Sequence, residues 1–178
     1  MFVPLQTLKK LLYNKKMKIN VPFYRQDTDY TCGPTSLQMV FSFFGSFKSE
    51  AELTKNLLAN SEVGTKHQHM IDVATRNGFF CYVNNASTFS ELKVFLNKGL
   101  PIIVDFTEPT GGEPHYAVIT GISRRRVILN DPANGEDFEL SEKDFLSHWR
   151  DSSTRSERWM MVISKEDLEL GRQYRPHK

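Results

Sequence analysis

The sequence predicts an α+β fold, with a helical N-terminal half packed on an antiparallel sheet formed by the C-terminal half. Three observations carry this. Apolar residues recur at helical spacing in four segments before Gly99. From Leu100 onward they gather instead in short β-branched runs separated by turn residues. Helices precede strands, without the alternation that builds parallel β-α-β units. The 178 residues suit one domain, placed at 18–165, with an amphipathic arm at 1–17 and a charged tail at 166–178.

The first helix begins at Cys32. Leu37, Val40, Phe41 and Phe44 fall on one face, and Met39 and Phe43 widen it, so the helix should be deeply buried. Pro34 belongs in its first turn, where a missing N–H costs nothing, and Gly45 stands where a left-handed cap ends it. A second helix spans 49–59, with Ser49 as cap and Leu53, Leu57 and Leu58 facing inward. A third lies in HQHMIDVATRNG, carrying Met70, Val73 and Ala74 on one face and stopping at Gly78. The fourth opens on a capping box, Thr88 with Glu91, and buries Leu92, Phe95 and Leu96 before Gly99. LPIIVDF (100–106), HYAVITGI (115–122), RVILND (126–131) and DFEL (137–140) then read as strands, with a tight turn at Ser123–Arg125. A short helix at 141–149 and a strand at 158–164 complete the domain.

Composition narrows the function. A net charge of +2 is too mild for a nucleic-acid binder, and the early lysines and the Arg124–Arg126 triplet read as solvated charges. The first twenty residues lack a signal-peptide core, and no stretch approaches the roughly 18 apolar residues of a membrane span. A soluble, cytoplasmic protein is therefore expected. The two cysteines, Cys32 and Cys81, do not make a disulfide framework.

Cys32 is set up for chemistry. A helix N-terminus favours negative charge, and the thiolate is the nucleophilic form of cysteine. Gly33 is expected to let the backbone and a substrate approach the sulfur. Cys81, in the strand-like run FFCYV, reads as a buried structural residue. A nucleophilic cysteine needs a base, and of five histidines His115 is placed best: it follows the glycine-bearing loop TEPTGGEP, expected to be flexible, and opens an apolar strand. His67 and His69 form an HxH pair without a third metal ligand at a recognisable spacing, His148 reads as a surface residue, and His177 stands next to the end in a segment expected to be disordered. Asp131 ends the next strand, kept extended by Pro132, and a hairpin through Ser123–Arg125 puts it opposite about residue 117. It then lies within about 7 Å along the strand of His115, close enough to orient the imidazole. Gln26, six residues before Cys32, is placed to donate to an oxyanion alongside the Cys32 N–H.

The run QDTDYTCGPTSLQMVFSFFG, followed by PHYAVITGI and VILNDPANG, resembles the bacteriocin-processing (double-glycine leader) cysteine peptidase family and its free-standing papain-like relatives. The resemblance spans about residues 19 to 164. It implies a papain-like fold with Cys32 as nucleophile, His115 as base, Asp131 as orienting carboxylate and Gln26 in the oxyanion hole. The transporter-linked members continue into membrane spans and a nucleotide-binding domain. This sequence contains neither, so the resemblance implies the chemistry more firmly than a Gly-Gly leader as substrate.

The expected function is a cysteine peptidase acting on a peptide or protein substrate through an acyl-enzyme, with no cofactor, metal or nucleic acid. Two alternatives share the fold: a peptide-binding module that does not cleave, and a thiol acyltransferase of the γ-glutamyl type. Neither the substrate nor the oligomeric state is legible in the residues.

Overall fold

The computed structural model describes residues 17–151, 156–170 and 172–177. The predicted arm, apart from Met17, lies outside the described residues. Five helices are described: α1 (Cys32–Phe43), α2 (Glu50–Asn56), α3 (His67–Arg76), α4 (Phe89–Asn97) and α5 (Glu142–His148). The strands are β1 (Met17–Lys18), β2 (Phe80–Asn84), β3 (Ile102–Thr107), β4 (Pro114–Ser123), β5 (Arg126–Asp131), β6 (Gly135–Ser141), β7 (Arg150–Asp151), β8 (Ser156–Glu157) and β9 (Met160–Ser164). The α+β class holds: an antiparallel sheet runs in the order β2-β9-β3-β4-β5-β6, and β1 pairs with β4 beyond the end of β3.

Both faces of the sheet are covered. On one, Leu37 and Phe41 of α1 and Met70 of α3 meet Ile103, Val118 and Trp159. On the other, Leu92 and Phe95 of α4 and Phe145 of α5 meet Val104, Ala117 and Leu129. This two-sided burial explains why LPIIVDF and HYAVITGI are continuously apolar rather than alternating. The predicted caps form: Ser49 accepts from the Glu52 N–H, and Thr88 with Glu91 closes a full capping box. Gly45 takes φ +74° beyond the end of α1, the left-handed geometry that stops a helix.

Several local expectations need correction. Phe43 and Phe44 are only half-buried at the edge of the first core. The second helix is shorter than 49–59, because Leu58 adopts φ 53° and turns outward, 66% exposed. The run around Cys81 is, by contrast, the strand expected of it, with Cys81 buried; it pairs with β9 on one side and is met by the tail on the other, where Cys81 and Tyr174 exchange backbone hydrogen bonds of 2.9 and 2.8 Å. The His177 N–H reaches the Thr75 carbonyl at 3.2 Å, so the end of the tail is tied to α3 rather than loose. Among the described residues, no helix is long and apolar enough to cross a membrane.

The helix that carries Cys32 is held chiefly by its apolar face. Leu37, fully buried, is the test of that: Leu37→Ala is expected to cost about 3 kcal/mol, read as a lowered urea midpoint with an unchanged m-value.

Candidate active site

Cys32 is the first residue of α1, and no side chain caps this helix end, which leaves its leading N–H groups open. His115 is the second residue of β4 and Asp131 the last of β5. His115 Nε2 and Asp131 Oδ1 are 2.8 Å apart, with the two residues 6% and 0% exposed. The Cys32 side chain also lies close to the His115 ring, where it favours the charged imidazole. With Nε2 taken by Asp131, this second contact falls to Nδ1.

The pairing of His115 with Asp131 rests on strand register. The β4–β5 hairpin turns through Arg124 and Arg125, at φ 44° and 64°, the positive angles of a two-residue turn matched to strand twist. Near the turn, Gly121 opposes Ile128, but further on Ile119 opposes Leu129, so one extra residue, Thr120, is inserted in β4. Continued without that insertion, the register would set Asp131 opposite Val118, on the face away from His115. With it, Asp131 falls opposite Ala117, two residues from His115 and on the same face. A diagonal pair of this kind is within reach of an imidazole and a carboxylate. The Thr120 carbonyl, freed by the bulge, accepts from the Ile19 N–H at 2.7 Å.

Asp131 is held as an anion. Its Oδ1 accepts from the Ala133 and Asn134 N–H groups, both at 2.9 Å, and Oδ2 from Asn134 Nδ2 at 3.1 Å. Burial pushes this carboxyl upward, but the hydrogen bond and charge of His115 and the bonds from Asn134 outweigh it and hold it below its usual range. For His115, burial disfavours the charge; hydrogen bonds to Asp131 and Cys32, and their charges, override that and raise it to about 10. Burial alone pushes the Cys81 thiol up to about 12, which leaves it inert.

Gln26 joins this group through its backbone: its N–H donates to the Pro132 carbonyl at 3.1 Å, one residue past Asp131. Its side-chain Nε2 donates to the Thr28 carbonyl at 2.7 Å, which anchors the amide and uses one of its two N–H groups. Arg25 adds a second tie, from Nη1 to the Ala133 carbonyl at 2.7 Å.

Several features escaped the sequence reading. The loop 107–114 is not slack: the Glu108 carboxylate gathers the Thr110 N–H at 2.8 Å, the Thr110 hydroxyl at 2.6 Å and the Gly111 N–H. Asn134 connects this loop to Asp131, with Nδ2 3.4 Å from Glu108 Oε1. Gly33 faces protein rather than open space, since a Cβ there would lie 2.6 Å from Thr65 Oγ1 and 2.7 Å from Thr65 Cβ. The HxH pair is divided between two tasks. His67 bonds Asp105 at 2.7 Å and stacks on Trp159 at 4.1 Å, while His69 Nδ1 bonds the Leu57 carbonyl at 2.7 Å. His148 Nδ1 bonds the Asp144 carbonyl of its own helix at 2.8 Å. Only the Asn-Gly of DPANG, a turn signal, hinted at any of these partners.

Comparison with known proteins adds to this geometry. The Peptidase_C39 like family matches residues 18–157. An uncharacterized protein of Methanothermobacter marburgensis is 31% identical over 111 residues, 62% of this chain and 71% of that one. Among solved structures, the peptidase domain of Streptococcus ComA, a bi-functional ABC transporter involved in quorum sensing, superposes with a TM-score of 0.66 at 23% identity, covering 83% of this chain and 100% of that one. A protein of Bacillus anthracis described as a C39-like peptidase gives 0.70 at 18% identity, over 86% and 100%. A double glycine motif protease from an AMS/PCAT transporter, solved with its leader peptide, gives 0.64 at 18% identity, over 84% and 95%. These likenesses establish the fold as that of C39 papain-like peptidase domains.

The electrostatic account of His115 is open to direct measurement. Asp131→Asn removes the opposite charge and keeps the shape. The imidazole pKa, followed by NMR of the ring nitrogens, is expected to fall by at least about 1 unit. An unchanged value would mean that Asp131 does not hold the proton on His115.

Proposed function

This chain belongs to the Peptidase_C39 like family, and from that premise we propose that it is a cysteine peptidase in which Cys32, His115 and Asp131 perform the chemistry. The observation that carries this reading is the 2.8 Å His115–Asp131 pair beside Cys32 at an uncapped helix N-terminus.

The Cys32 thiolate attacks the carbonyl carbon of a peptide bond, forming a C–S bond as the carbonyl π pair moves onto oxygen. The Cys32 N–H and the remaining side-chain N–H of Gln26 receive that oxyanion. On collapse the C–N bond breaks, and the departing amine takes the proton that the His115 imidazolium carries on Nδ1. A water molecule then attacks the thioester and gives its proton to the same Nδ1. The second oxyanion collapses, the C–S bond breaks, and the thiolate–imidazolium pair is restored with release of a carboxylic acid. Asp131 keeps Nε2 protonated throughout and holds the ring in plane, as the third member of a triad does. Asn134 and the Ala133 N–H hold Asp131, and Glu108 and the Pro132 carbonyl hold Asn134 and Gln26 in turn.

A peptide substrate is the class that fits. The related double glycine motif protease was solved with a leader peptide, and an extended peptide is what a thiolate at a helix start beside a strand end can receive side-on.

Cleavage of a peptide library provides the test. Turnover is expected to vanish in Cys32→Ala and to fall about 1,000-fold in His115→Ala. Because the leaving amine needs the imidazolium proton, kcat/KM should hold through neutral pH and decline only as pH rises through about 10, the value at which His115 loses it. Absence of cleavage by the wild type, together with labelling of Cys32 at the rate of an ordinary thiol, would refute the reading.

A further inference from the structure

One residue outside the triad touches the chain neighbours of both reacting groups. Thr65 lies between α2 and α3, just ahead of the α3 cap residue Lys66. Its side chain fills the place where a Cβ on Gly33 would stand, and its carbonyl accepts from the Tyr116 hydroxyl at 2.9 Å. Gly33 directly follows Cys32, and Tyr116 directly follows His115. Thr65 is thus a spacer between the start of the nucleophile helix and the strand of the base.

Three observations mark this contact as specific. The Thr65 hydroxyl is buried and has no hydrogen-bond partner among the described residues, so at this position the side chain acts through its shape. An unpaired buried hydroxyl is a cost that shape alone must offset. The carbonyl partner is itself fixed, since the Tyr116 ring stands edge-on to both Trp159 and His67, with centroids 5.8 Å away in each case. The segment is also pinned from behind: His67, two residues on, bonds Asp105, whose Cα partner across the sheet is Tyr116. Tyr116, Asp105 and His67 therefore brace Thr65, which in turn bears on Gly33.

We propose that Thr65 is a positioning residue that sets the separation of Cys32 from His115 by bearing on Gly33 and Tyr116. The proposal rests on the peptidase reading and deepens it. It also assigns Gly33 a role: a larger residue there would push the helix start away from Thr65 and move the sulfur relative to the imidazole. The contacts of Thr65 are to the chain neighbours Gly33 and Tyr116, so its effect should show in the state of the thiol–imidazole pair.

The test is the rate of iodoacetamide labelling at Cys32 against pH, read by mass spectrometry on the full chain. In the wild type, a thiol paired with His115 should label faster at about pH 6 than an unpaired thiol does. Gly33→Ala is expected to move the acid limb upward, slowing labelling about 10-fold at pH 6. Adding Thr65→Gly, which removes the opposing atoms, should return most of that rate. Thr65→Val, matched in shape but without the hydroxyl, should leave the profile at its wild-type position. Tyr116→Phe, a mild change that deletes the hydrogen bond to the Thr65 carbonyl, should move the limb in the same direction by a smaller amount. A limb that stays in place in Tyr116→Phe, or a double variant no faster than Gly33→Ala, overturns the proposal while the peptidase reading stands. A wild-type Cys32 that labels like a free thiol overturns both.

Discussion

The site depends on one inserted residue. Side chains in a strand alternate between faces, so the registration of β5 against β4 decides whether Asp131 can meet His115 at all. The two-residue turn at Arg124–Arg125 sets one registration, and Thr120 shifts it by one position before the strands reach their open end. A bulge strong enough to do this needs its own support. The Thr120 carbonyl finds it in Ile19, and that bond holds the N-terminal segment beside β4. The start of the domain is thereby linked to the geometry of its base, about a hundred residues away in sequence.

From that point the constraints run outward in layers. Asp131 is fully buried as an anion, which only a dense set of donors makes tolerable, and the turn it begins supplies three of them. The same turn offers its Pro132 and Ala133 carbonyls to Gln26 and Arg25, so the loop leading to α1 is fastened to the loop that holds the carboxylate. Glu108 gathers the third loop and joins it through Asn134. Three segments that are far apart in sequence are thus fixed relative to one another by hydrogen bonds from both backbone and side chains.

Much of this was legible in the residues, for reasons that differ by element. The helix from Cys32 to Gly45 declared itself because burial imposes a 3.6-residue period, and the Thr88–Glu91 cap because its partners are three residues apart. Such signals are local. The opposition of Asp131 to about residue 117 was also expected, yet the tight turn alone yields it only approximately; the bulge that makes it so has no mark in the sequence, since Thr120 is an ordinary β-branched residue in an apolar run. Gly33 was taken to make room for a substrate, whereas Thr65, 32 residues later, occupies that room. Leu58 was taken as inward because it continues an apolar spacing, but the chain leaves α2 before reaching it. In each miss the deciding partner was remote, and residue type at one position carries no record of a contact made by another.

Two histidine–carboxylate pairs occur among the described residues, one part-buried and one buried, and the comparison between them shows what sets one apart. His67–Asp105 and His115–Asp131 have nearly the same separation, 2.7 and 2.8 Å, and Asp105 and His115 sit on adjacent rows of β3 and β4. A pair of this kind is therefore not in itself a sign of catalysis. His67 lies flat on Trp159, so its ring serves as a packed wall. His115 meets Phe106 only edge-on and lies beside the Cys32 thiol at an uncapped helix end. The aspartate makes the imidazole a strong holder of its proton in a site that burial would otherwise keep neutral. The uncapped helix end beside it favours negative charge at that position. The proposed chemistry would draw on all three parts together, and the hydrogen-bonded loops around them keep the parts in register.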